Sequence, residues 1–194
     1  MDTARPEWVN LSYFFMKITA YKRILLGGIA ALFMAALASA NPDLEGHWRL
    51  DPTRSSALDG WQEMDLVFSL DGSQIAITHQ MRWRSTNYRA TNLVDTTKSV
   101  ATDKFFRIEQ RHMAVYPTKG GITHTTAEWI DEDRTLRTET NTPVEISQGD
   151  VNMRITSEYR IGEGGETLVL IELHSSRSRP LVYFFNKVSE EDAK

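Results

Sequence analysis

From residue 63 onward the chain alternates between apolar and polar positions. Leu66, Phe68 and Leu70 share one face of residues 63–70 and Asp65 and Ser69 the other, the period-two pattern of a half-buried strand. Asp71-Gly72 then offers two residues suited to positive φ, which predicts a type I′ hairpin into the next strand. There Ile75, Ile77, His79, Met81 and Trp83 fall on one face, with Thr78, Gln80, Arg82 and Arg84 on the opposite one. The alternation turns His79 inward. Residues 88–95 and 104–111 read as further strands separated by a polar loop, and 122–130 pairs with 136–146 across Asp131-Glu132-Asp133-Arg134. Pro143 predicts a bulge or strand end, because proline cannot donate to a ladder. The most regular run sets Val151, Met153, Ile155, Ser157, Tyr159 and Ile161 against Asn152, Arg154, Thr156, Glu158 and Arg160. Residues 168–174, apolar on both faces, and 181–188 complete the series.

About nine or ten short strands with no useful helical period define an all-β chain. An antiparallel up-and-down β-barrel disposes of the exposed edges of so many sequential hairpins, and a two-sheet sandwich is the competing architecture. Upstream, Gly46 allows close approach of the backbone, Trp48 is a large plug on a first strand, and Asp51-Pro52 ends that strand in a short capped helical turn.

The pattern before residue 41 is of another kind. Residues 16–23 are basic, 24–40 are apolar, and Ala38-Ser39-Ala40 supplies a small-residue exit, so 16–40 reads as a signal peptide. A membrane anchor is the alternative, although the apolar run is at the lower edge of what crosses a bilayer. Residues 1–15 precede an internal Met and read as a start-site extension. The expected product is a single domain of residues 41–194, periplasmic or secreted, with no stable membrane anchor after cleavage.

Composition removes several chemistries. The chain has no cysteine, which excludes disulfides, thiol nucleophiles, thiolate zinc sites and lipid-modified cysteine. Net charge is -4, and Arg5, Lys17, Lys22 and Arg23 outweigh Asp2 and Glu7 before residue 41, so the remainder is more acidic still. Such a surface disfavours nucleic acid. Five histidines lack the spacing of a metal site, no Gly-x-Ser-x-Gly elbow accompanies the serines, and nothing in the pattern sets Glu128 opposite Glu172. No catalytic residue, metal ligand or cofactor is expected.

The string Gly46-x-Trp48-x-Leu50-Asp51-Pro52-x-Arg54-Ser55 resembles the start of small secreted lipocalin-like (calycin-type) β-barrel proteins of bacteria. Residues 127–131, Tyr159 and 181–184 are similar to the last hairpins of that family. The Thr-Asp-Tyr motif of the animal lipocalins is missing. The resemblance implies a barrel holding a small hydrophobic molecule, with Trp48 closing the narrow end beneath a cation, Arg177 or Arg179 by position.

His79, Trp83, Trp129 and Tyr159 are the expected ligand-binding residues. His79 is either the polar anchor of an apolar pocket or a core histidine satisfied by a neighbouring carbonyl. Tyr159, Trp129 and Tyr183 are either lumen lining or core. Three functions remain open: an exported protein binding a small apolar or amphipathic molecule, an envelope enzyme of hydrolase or isomerase type with His79 as general base, and a packed barrel whose outer face docks a partner. Oligomeric state is not readable from the pattern.

Overall fold

The computed structural model describes residues 40–58, 60–108 and 116–189. The signal-peptide and extension expectations fall, but for residue 40, outside them. Eleven strands occur in the described residues: β1 (Gly46–Leu50), β2 (Glu63–Asp71), β3 (Gln74–Trp83), β4 (Thr86–Asp95), β5 (Val100–Thr102), β6 (Tyr116–Pro117), β7 (Thr123–Ile130), β8 (Thr135–Ile146), β9 (Gly149–Ile161), β10 (Thr167–His174) and β11 (Leu181–Lys187). Ten form one antiparallel sheet in the order β4-β3-β2-β1-β11-β10-β9-β8-β7-β5, with two-residue β6 alongside β8. The free ends of this sheet, β4 and β5–β7, lie side by side, so it curls into a nearly closed up-and-down barrel. The sandwich alternative is thereby set aside.

Inward positions of β1 to β3 and β9 to β11 build the core, in which Trp48, Leu66, Phe68, Ile75, Leu168, Leu170, Tyr183 and Phe185 are almost wholly buried. Burying each of these side chains is worth roughly 1.5–3 kcal/mol. Outward positions carry cross-strand ion pairs such as Arg137–Glu158 at 2.8 Å, which add little in solvent.

Before β1, a 3-10 turn at Pro42–Leu44 is capped by the Asn41 side chain, and Asn41 Nδ2 also donates to Asp133 O at 2.9 Å in the β7–β8 turn. The chain thus crosses the bottom of the barrel. Trp48 stands above it, its Nε1 donating to Leu44 O at 2.9 Å. The covering cation is Lys187, with Nζ 5.0 Å from the Trp48 ring centre and donating to Asp43 O at 2.9 Å. The resemblance implied Arg177 or Arg179. Both precede β11 and sit at the opposite end, whereas Lys187 ends that strand and pairs directly with Trp48. Gly46, beside the Lys187 side chain, has φ 117, a backbone conformation that L side chains rarely adopt.

Three local expectations change. Asp71 pairs with Gln74, so the β2–β3 turn is Gly72-Ser73, and Gly72 alone has positive φ, at 61°. That is the type II′ arrangement, with glycine first in the turn. Pro143 lies in unbroken register with Asn152, and its carbonyl faces the other way to accept from Thr118 N. β7 pairing stops at Asn141, so the missing N–H falls beyond the end of that ladder. The stretch read as a strand over 104–111 is not one in its described part: the strand is β5, and residues 103–108 run irregularly, with Phe106, Arg107 and Ile108 buried. After β1, Asp51 caps a single turn, accepting from Thr53 N and Thr53 Oγ1 at 3.0 and 2.6 Å.

Candidate functional site

Between β4 and β7, the one place in the wall without strand-to-strand hydrogen bonding among the described residues, segment 103–108 enters the interior. The inward Asn92 side chain of β4 holds it there. Its Nδ2 donates to Phe106 O and its Oδ1 accepts from Phe106 N, both at 2.9 Å, so an amide side chain replaces a strand ladder. Trp61 Nε1 donates to Ile108 O at 2.9 Å. Phe106 then packs against His79, Tyr88 and Trp61, with ring centres 5.0, 5.4 and 6.3 Å away. Arg107 is also buried, its Nη1 4.0 Å from Met153 Sδ.

What remains open inside is a cavity of about 20 Å³, bordered by His79, Phe106, Thr138, Ser157, Tyr159 and Glu172 among others. That is room for about one water molecule. His79 is 3% exposed, and its Nδ1 has no hydrogen-bond partner. Burial draws the imidazole pKa down to about 4 against a smaller opposing effect from the Ile77 backbone, so the ring is neutral at pH 7. Burial, helped by the Glu172 charge, pushes the Tyr159 phenol above its ordinary range. Tyr159 also meets Phe68 edge to face at 5.3 Å.

The opposite wall is polar. Thr123 and Thr142 bond through their hydroxyls at 2.7 Å, and Thr125 and Thr140 at 3.0 Å. Ser157 Oγ donates to Glu172 Oε2 at 3.3 Å, and His174 Nε2 lies 2.6 Å from Glu172 Oε1. Pairing of this kind is what allows such groups to be buried.

Of the four expected binding residues, His79 and Tyr159 border the same cavity. Trp83 does not: it is half-buried at the rim where β3 turns into β4, with the Arg84 guanidinium 4.8 Å from its ring. Trp129 packs against the core toward the end closed by Trp48, its buried Nε1 without a partner. Sequence reasoning passed over Asn92, Phe106 and Arg107. Phe106 and Ile108 mimic one face of a strand, and only a polar Asn92 on an otherwise inward face hinted at a backbone to be held.

A larger groove of about 660 Å³ opens along the outside of β1 to β4, where Arg82 pairs with Glu63 and Arg49 with Asp65. Glu128 lies on the surface beside Arg137, far from the role of a partner to Glu172. Ser157 bonds a carboxylate instead of an imidazole, so the cluster is not a nucleophile activated by histidine. Among the described residues no three His, Asp or Glu side chains gather to hold a metal ion, and no helix is long and apolar enough to cross a membrane.

The fold places the chain in the class of antiparallel up-and-down β-barrels. Solved structures to which it is similar include a REP1-NXSQ fatty acid transporter, at 10% identity and TM-score 0.47, covering 77% of this chain and 98% of that one. A secretory abundant heat soluble protein from Ramazzottius varieornatus matches at 12% identity and TM-score 0.49, over 77% and 98% of the two chains. Apo lipid binding protein 8 of Caenorhabditis elegans matches at 11% identity and TM-score 0.48, over 78% and 99%. No family model matches the chain, and no curated protein does. The barrel itself rests on the strand ladder described above.

Proposed function

We propose that this chain is an exported barrel that binds a small apolar or amphipathic molecule in its interior, and that segment 103–108 occupies the ligand's place when none is bound. The observation that carries the reading is the gap between β4 and β7, filled by a non-strand segment on a few side-chain hydrogen bonds. A packed core needs no such replaceable filler. His79 and Tyr159 would line the emptied space, Trp83 would stand at its rim, and Trp129 would form its floor. Export to the periplasm or the medium, with residue 41 as the mature start, agrees with a carrier of sparingly soluble molecules. Mass spectrometry of the protein recovered from its host checks that start.

The direct test uses the neutral fluorophore N-phenyl-1-naphthylamine. Wild-type protein is expected to enhance its fluorescence, and Asn92→Ala, which frees Phe106, to bind it several-fold more tightly because less is lost in displacing the segment. Absence of any enhancement with either protein, both folded by circular dichroism, overturns the reading.

A further inference from the structure

The polar groups inside the barrel are unevenly placed, and their chemistry constrains the head of the molecule that would sit there. Apart from Lys187 at the closed end, the charged or titratable side chains that β7 to β11 turn inward among the described residues are Tyr159, Glu172, His174 and Tyr183. Glu172 is 8% exposed and already accepts from Ser157, with His174 against its other oxygen. Beside it stand the paired threonine hydroxyls of β7 and β8, each with an oxygen lone pair still able to accept. The one lysine or arginine bordering this cavity among the described residues, Arg107, belongs to segment 103–108 and not to a strand. When that segment leaves, its positive charge leaves with it. The wall left behind carries a carboxylate and a row of hydroxyls, faced from β3 by His79, whose Nδ1 has no partner.

We infer that the bound amphiphile carries a hydrogen-bond-donating head without negative charge, an ammonium or a hydroxyl-bearing group, and not a carboxylate. The inference rests on the binding function proposed above. A second carboxylate brought beside buried Glu172 would place like charges together in a medium that screens them poorly. An N–H or O–H head instead donates to Glu172 and to the threonine oxygens, and a charge-assisted bond of this kind is among the stronger ones available. Arg107, a donor head on a chain segment with Phe106 as its apolar neighbour, stands in for such a ligand.

Competition against bound N-phenyl-1-naphthylamine at neutral pH, with laurylamine, 1-monolaurin and lauric acid, tests this with one hydrocarbon chain length and three heads. The amine or the monoglyceride is expected to displace the dye at about tenfold lower concentration than the acid, a difference of the size that one charge-assisted hydrogen bond supplies. Glu172→Gln should bring the amine and the acid to within about threefold of each other. Lauric acid competing as well as or better than both others overturns the inference while leaving the binding function standing. A gap that persists in folded Glu172→Gln also overturns it. If the dye does not bind, both fall. Should Glu172→Gln fail to fold, the wild-type ranking decides alone.

Discussion

The walls built from β1 to β3 and from β7 to β10 use the same strand geometry and turn opposite chemistry inward. The first presents Met64, Leu66, Phe68, Ile75, Ile77 and Met81, with His79 as its one polar interruption. In its half nearer Arg177, the second presents Thr123, Thr125, Thr138, Thr140, Ser157 and Glu172, set beside a small apolar cluster of Val144, Met153 and Ile155. Both are buried, so burial alone does not distinguish core from site. What distinguishes them is where their free energy comes from: area removed from water on one wall, mutual hydrogen bonding on the other. A core designed for stability alone gains nothing from a paired hydroxyl that a valine would not supply. The polar wall is therefore where function is sought, and the apolar wall is the frame that holds it.

Three measurements sharpen or break this contrast. The largest effect is expected on the apolar wall, where Phe68→Ala removes a buried ring packed on Tyr159 and should cost about 3–5 kcal/mol in denaturant unfolding. A loss under about 1 kcal/mol would mean that Phe68 is not part of a close-packed frame.

The next concerns His79. Its folded pKa, about 4, lies below its ordinary 6.5, so the unfolded chain binds the extra proton between these values. Its contribution is complete above about pH 6.5 and is lost as pH falls toward about 4, on the order of 3 kcal/mol in all. His79→Leu should flatten the unfolding free energy across that window. An unchanged slope would place the titration elsewhere.

The smallest effect belongs to the polar wall. Removing one hydroxyl of the Thr125–Thr140 pair leaves the other unsatisfied and should cost about 1–3 kcal/mol, whereas the double Thr125→Val, Thr140→Val variant should return to within about 1 kcal/mol of wild type. That recovery would mark the hydroxyls as dispensable for stability. If the double variant is as unstable as the sum of the singles, the polar wall is structural after all.

Much of the barrel was readable along the chain because side-chain alternation survives wherever one face meets water and the other does not. Residues 63–70, 75–83 and 153–161 kept their faces as expected, while Val151, expected on the buried face, is exposed; His79 and Tyr159 followed from that parity alone. Residues 104–111 misled for the same reason: Phe106, Arg107 and Ile108 alternate in chemistry, yet all three are buried. Asn92 could not be recognised as a clamp, since an inward amide declares its role only when the backbone it holds is in view. The cation over Trp48 was likewise unreadable, because which residue covers it depends on the register of β11 against β1.

By itself the sequence determined the all-β class, the strands whose faces differ, and which side of each strand is buried. These are local consequences of a two-residue period, and they need no knowledge of neighbours. Only the tertiary structure decided which wall meets which, that segment 103–108 fills the gap beside β4, and that Glu172 keeps company with hydroxyls and His174. Those outcomes come from pairing between residues far apart in the chain, whose hydrogen bonds and packing no local pattern encodes.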